Sequence, residues 1–62
     1  MSAARMIDRR RRLGLTQAEA AARMGVSQSA WSHYETGRKS PTEDTLRRIA
    51  KAIGCRVRDL VD

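Results

Sequence analysis

Four hydrogen-bonding side chains, Gln28, Ser29, Ser32 and His33, fall within a single helix-like stretch of the chain. Stepped at about 100° per residue with Trp31 at zero, they occupy the arc from about 60° to 200°, while Ala30, Trp31 and Tyr34 centre near 310°. The two faces are close to opposite. A solvated helix face usually carries Lys and Glu, and this one has neither. Its groups suit the edges of DNA bases. A glutamine amide bonds adenine bidentately in the major groove, serine donates and accepts without strong preference, and histidine addresses guanine or a phosphate.

Other chemistries lack their groups. His33 and Cys55 lie on different elements with no base or orienting partner, and no paired carboxylates face a pocket, so an enzyme is not expected. One His and one Cys cannot supply the four ligands of a zinc finger, and no metal or cofactor is implied. A single cysteine makes no intrachain disulfide, which points to a reducing, cytoplasmic setting with attachment to the nucleoid through DNA.

These residues sit in a chain of 62, expected to form one domain over residues 1–62. Area scaling lets a chain of this size bury only about 60% of its surface, which leaves no room for a deep pocket or for a small-molecule effector site. Thirteen Lys and Arg against seven Asp and Glu give a net charge of +6. The partner should be polyanionic: nucleic acid first, an anionic membrane surface second. The membrane reading is the weaker. No apolar run approaches a span, the N-terminus lacks the apolar stretch of a signal peptide, and the basic residues do not oppose one continuous apolar face.

The elements that must position the four side chains read as short helices, in an all-α fold. Helix 1 is predicted over Ala3 to Leu13, with Ala3, Met6, Ile7, Arg10 and Leu13 inward and Gly14 as its stop. Thr16 and Glu19 form a capping box for helix 2, whose stripe is Ala20, Ala21 and Met24. Gly25 ends it, and Ser27 caps helix 3 two residues later. So short a turn is that of a helix-turn-helix, covering about residues 16–36. After a basic loop, Ser40 or Thr42 caps helix 4, with Ser40-Pro41-Thr42-Glu43 reading as a capping box and Leu46, Ile49, Ala50 and Ile53 inward. A fifth short helix is expected over Val57 to Val61.

Arg10 stands apart from the neighbouring arginines because it falls on the apolar stripe of helix 1. A buried guanidinium needs a partner, and Glu35 at the end of helix 3 is the obvious one. Trp31 and Tyr34 read as core, and Cys55 as a small packed hydrophobe. Arg9, Arg11 and Arg12 read as surface charge and long-range steering. Arg38 and Lys39, just past helix 3, are placed to track the DNA backbone, with Ser27 and Thr36 as further phosphate candidates.

Leu13-Gly14-Leu15-Thr16-Gln17-Ala18-Glu19, then Gly25-Val26-Ser27-Gln28-Ser29, then Glu35-x-Gly37-Arg38-Lys39-x-Pro41, resemble the lambdoid phage repressor and Cro family, also called XRE-type. The later Leu46-x-x-Ile49-Ala50-Lys51-Ala52-Ile53-Gly54 is similar to that family's fourth helix. The resemblance covers essentially the whole chain. It implies a compact, five-helix, lambda-repressor-like domain acting as a homodimer on a palindromic operator, most simply as a repressor. By matching positions it implies base contacts first from Gln28 and Ser29, then from Ser32 and His33, and a phosphate contact from Gln17. It also implies a dimer contact through Ile53, Arg56, Val57 and Asp59, in which Arg56 and Asp59 can pair across the two-fold axis. It supports the Arg10–Glu35 pair, since relatives often join these two helices in the same way. Two alternatives remain open: an antitoxin-type subunit that binds a toxin and autoregulates its operon, and the controller protein of a restriction-modification system.

Overall fold

A computed structural model describes all 62 residues. Four α-helices follow one another: α1 (Ala3–Arg12), α2 (Gln17–Met24), α3 (Gln28–Glu35) and α4 (Glu43–Ala52). Each starts at a hydroxyl residue in extended backbone, whose side chain accepts an amide N–H of the first turn. These caps satisfy donors that have no partner within the helix. At α2 the exchange is reciprocal. Glu19 N–H donates to Thr16 Oγ1 at 3.1 Å, and Thr16 N–H donates to the Glu19 carboxylate at 3.0 Å.

The turn that joins α2 to α3 depends on Gly25. Its φ of +78° lies in the left-handed region, where a side chain is strained. Val26 N–H donates back to Ala21 O at 3.0 Å, and Ser27 then caps α3. The axis of α2 therefore stops and that of α3 starts within three residues, and the two helices pack on each other.

Three expectations need correction. The fifth helix is only a 3₁₀ turn, Val57–Asp59. The segment is too short for a stable helical nucleus and carries β-branched Val57 and Val61. The cap of α4 is Thr42, which accepts Thr45 N–H at 3.2 Å, so no box forms between Ser40 and Glu43. Leu13 is 45% exposed rather than inward, because α1 ends at Arg12 and the chain turns away at Leu13.

The core comprises Met6, Ala20, Ala21, Met24, Trp31, Tyr34, Ile49, Ala50, Ala52, Ile53 and Leu60. Trp31, Met6, Ile49 and Leu60 are its largest fully buried members. Small Ala20 and Ala21 on α2 share this core with the two rings of α3, so large and small residues offset one another. The chain ends meet: Ser2 N–H donates to Leu60 O at 2.7 Å, and Arg5 pairs with Asp62 at 3.3 Å.

Candidate nucleic-acid interface

Packing of Trp31, Tyr34 and Glu35 into the protein fixes which side of α3 faces out. Gln28 and Ser29 are exposed, and Ser32 and His33 are half-buried. None of these four side chains hydrogen bonds within the chain; the bonds that α3 and its flanks do make come from Ser27, Trp31, Glu35 and Thr36. Their donors and acceptors are free for a ligand. Eight residues give α3 a length of about 12 Å, which matches the width of a major groove.

The residues flanking α3 divide by what they have left to offer. Ser27 Oγ accepts Ala30 N–H at 3.1 Å but keeps its own proton. Thr36 does not: its hydroxyl donates to Ser32 O at 3.0 Å, and its amide is spent on the same carbonyl. Thr36 therefore offers a phosphate less than Ser27 does. Arg38 and Lys39 are exposed and make no ion pair. Lys39 N–H returns to His33 O at 3.1 Å, which ties the basic loop to the last turn of α3.

Behind this face, one carboxylate joins three helices. Glu35 Oε2 accepts Arg10 Nε–H at 2.6 Å and also the Trp31 indole N–H. Its Oε1 accepts Arg10 Nη2–H at 3.1 Å and Gln17 Nε2–H at 3.0 Å. Arg10 Nη1 donates to Leu15 O at 2.8 Å, so the guanidinium also pins the loop before α2. Burial is the largest influence on the Glu35 carboxyl and raises its pKa. The hydrogen bonds from Arg10, Gln17 and Trp31, with the Arg10 charge, together outweigh it and hold the pKa below its ordinary value. The structure thus brings Arg10 and Glu35 together. It also ties Gln17 to Glu35, leaving one of its two amide N–H bonds free. The shares of Gln17 and Trp31 were not foreseen. The four-residue spacing of Trp31 and Glu35 on one helix was an available signal.

The residues assigned to a dimer contact differ in what they leave exposed. Ile53 is 2% exposed and belongs to its own chain's core, so it has no surface for a partner. Asp59 is occupied at both oxygens: Oδ2 accepts Arg56 N–H at 2.9 Å, and Oδ1 lies 3.4 Å from Arg9. Within one copy, Asp59 thus meets Arg56 through the backbone amide and Arg9 through the side chain. Val57 packs against the core, and Arg56 is exposed. In the arginine block, Arg9 and Arg12 have carboxylate partners (Asp59 and Asp8), while Arg11 has none. Burial pushes the Cys55 thiol pKa up, with help from Asp59 against Arg9.

No group of His, Cys, Asp and Glu is arranged to hold a metal ion, and no helix is long and apolar enough to cross a membrane. A family model described as a helix-turn-helix domain matches residues 3–62. An uncharacterized HTH-type transcriptional regulator of Sinorhizobium fredii is 51% identical over 45 residues, covering 73% of this chain and 58% of the relative. A second uncharacterized HTH-type transcriptional regulator, from Methanothermobacter thermautotrophicus, is 45% identical over 47 residues, covering 76% of this chain and 68% of the relative. The matched part is thus less than two thirds of the first relative's length. No solved structure matches the chain. With α2, the Gly25 turn and α3 in place and the match running almost end to end, the chain belongs to the helix-turn-helix domain family.

Proposed function

We propose that this protein is a sequence-specific transcriptional regulator, most simply a repressor of the lambdoid repressor and Cro type, that reads double-stranded DNA with α3. The carrying observation is the outward face of α3, where Gln28, Ser29, Ser32 and His33 stand with no partner in the chain. The net charge of +6 and the regulator names of two relatives support the same reading. Gln28 and Ser29 meet base edges near the start of the helix, and Ser32 and His33 follow farther along it. The second N–H of Gln17, the Ser27 hydroxyl, Arg38 and Lys39 hold phosphates, as do the free amides that open α2 and α4.

Size supports a homodimer on a palindromic site. Successive major grooves on one side of a duplex are about 34 Å apart. The longest dimension of one copy is 25 Å, so reading two grooves takes two copies. Selection of bound duplexes from a random pool tests the proposal. The expected product is an inverted repeat with half-sites about one helical turn apart. A pool that shows no enrichment at physiological salt overturns it.

A further inference from the structure

A second cationic feature lies away from the face of α3. Arg23 and Met24 from α2, with Arg48, Lys51 and Ala52 from α4, surround an open hollow of about 360 Å³. Its polar side chains are all cations, and Met24 and Ala52 supply the apolar part of its lining. Arg48 Nη2 donates to Met24 O at 2.9 Å, which fixes the guanidinium at the rim and leaves four of its five N–H bonds available. No carboxylate lines the hollow. Five of the seven carboxylates form ion pairs, and none of them pairs with Arg23, Arg48 or Lys51. Glu19 lies close enough for its charge to feel Arg23, but it is bonded to Thr16 N–H and makes no ion pair. The fold satisfies its buried polar side chains, whereas these three cations are exposed and carry no ion pair.

We infer that this hollow docks an acidic segment of a protein partner, placing one or two carboxylates among Arg23, Arg48 and Lys51 and an apolar side chain on Met24 and Ala52. Three cations beside the small apolar lining of Met24 and Ala52 match a carboxylate that has an apolar neighbour. A sugar-phosphate backbone has no apolar side chain to set against Met24 and Ala52. The volume lies near the lower end for ligand clefts, about 300–1,000 Å³, and suits a few side chains rather than a duplex. Position argues the same way. The ends of α2 and α4 assigned to phosphates are their N-termini, and Arg23 and Lys51 lie six and eight residues farther on, about 9 and 12 Å along the axes. The hollow is thus free while α3 is engaged.

The probe is a blocked pentapeptide of alternating glutamate and leucine, titrated into the isotope-labelled 62-residue chain and followed by amide and guanidinium NMR signals. Shifts are expected to centre on Arg23, Met24, Arg48, Lys51 and Ala52. The double charge reversal Arg23→Glu/Lys51→Glu should weaken binding by about tenfold or more, while Arg11→Glu/Arg58→Glu, which removes the same charge from exposed sites elsewhere, should change it less than about twofold. Circular dichroism verifies that each variant is folded. Inorganic phosphate should give no localised shifts, and a saturating duplex should not displace the peptide. Equal weakening by the two reversals overturns the proposal, as does equal binding of phosphate. Displacement by duplex also overturns it and reassigns the hollow to the DNA backbone. The peptide arm needs no DNA, so it succeeds or fails separately from the reading of α3.

Discussion

Replacing Glu35 with Gln changes almost no volume yet removes the charge that three helices share. The Arg10 side chain is 10% exposed and that of Glu35 is 2% exposed, so water cannot take over either role. Four N–H groups converge on the two carboxylate oxygens. An amide keeps one acceptor and puts an NH₂ group where the other was, so two of the four donors face a donor. A hydrogen bond to a charged group contributes about 1.5–3 kcal/mol, which makes the loss about 3–6 kcal/mol. That range overlaps the roughly 3–5 kcal/mol typical of breaking a buried ion pair from one side. At about 0.05–0.15 kcal/mol per residue, a chain of 62 residues has about 3–9 kcal/mol in all, so the variant stands at the edge of unfolding. Urea denaturation at neutral pH measures the difference. A second arm uses acid. Because the folded Glu35 pKa is depressed below 4.5, its contribution is complete above about pH 4.5 and disappears as pH falls through the folded value. The gap between wild type and Glu35→Gln should therefore close on acidification. A neutral-pH loss under about 0.5 kcal/mol, or a gap indifferent to acid, refutes the shared-carboxylate argument.

Other substitutions probe separate links. Gln28→Ala should cost about 1–3 kcal/mol at one base pair of each half-site and relax choice there, as read by selection from random duplexes. Lys39→Ala should weaken all sequences alike and flatten the slope of log affinity against log salt by about two for a dimer, which titrations at several salt concentrations will show. Gly25→Ala should destabilise the fold by about 1–2 kcal/mol in denaturant melts. An added Cβ meets nothing within 4 Å there, so the whole cost is conformational. Thr16→Ala should lose about 1 kcal/mol through the α2 cap, and Thr16→Ser should restore most of it.

What could be read from sequence was local and periodic. Thr16 with Glu19, Gly25 followed by Ser27, and the alternation of Trp31 and Tyr34 with Gln28, Ser29, Ser32 and His33 each depend on neighbours within one helical turn, and their geometry appears in the structure. Arg10 was legible for the same reason, as a charge on an apolar stripe. Leu13 misled because periodicity does not say where a helix stops: one residue past the end of α1, the wheel no longer applies. The intrachain contacts of Asp59 and Gln17 were hidden for another reason. Their partners, Arg9 and Glu35, are 50 and 18 residues away and are chosen by tertiary packing rather than by spacing along the chain. The hollow between α2 and α4 was invisible in the same way, since Arg23 and Arg48 are brought to one rim only by the packing of their helices.

The link between Ser2 and Leu60 closes the chain into something near a ring. Any segment attached to the front of the molecule leaves from the same corner as one attached to the back, and two such segments would be held side by side without a contact of their own. Tension on the rear tail would reach the wholly buried Leu60 first, pulling out the plug of the core before it touched the helices that carry recognition.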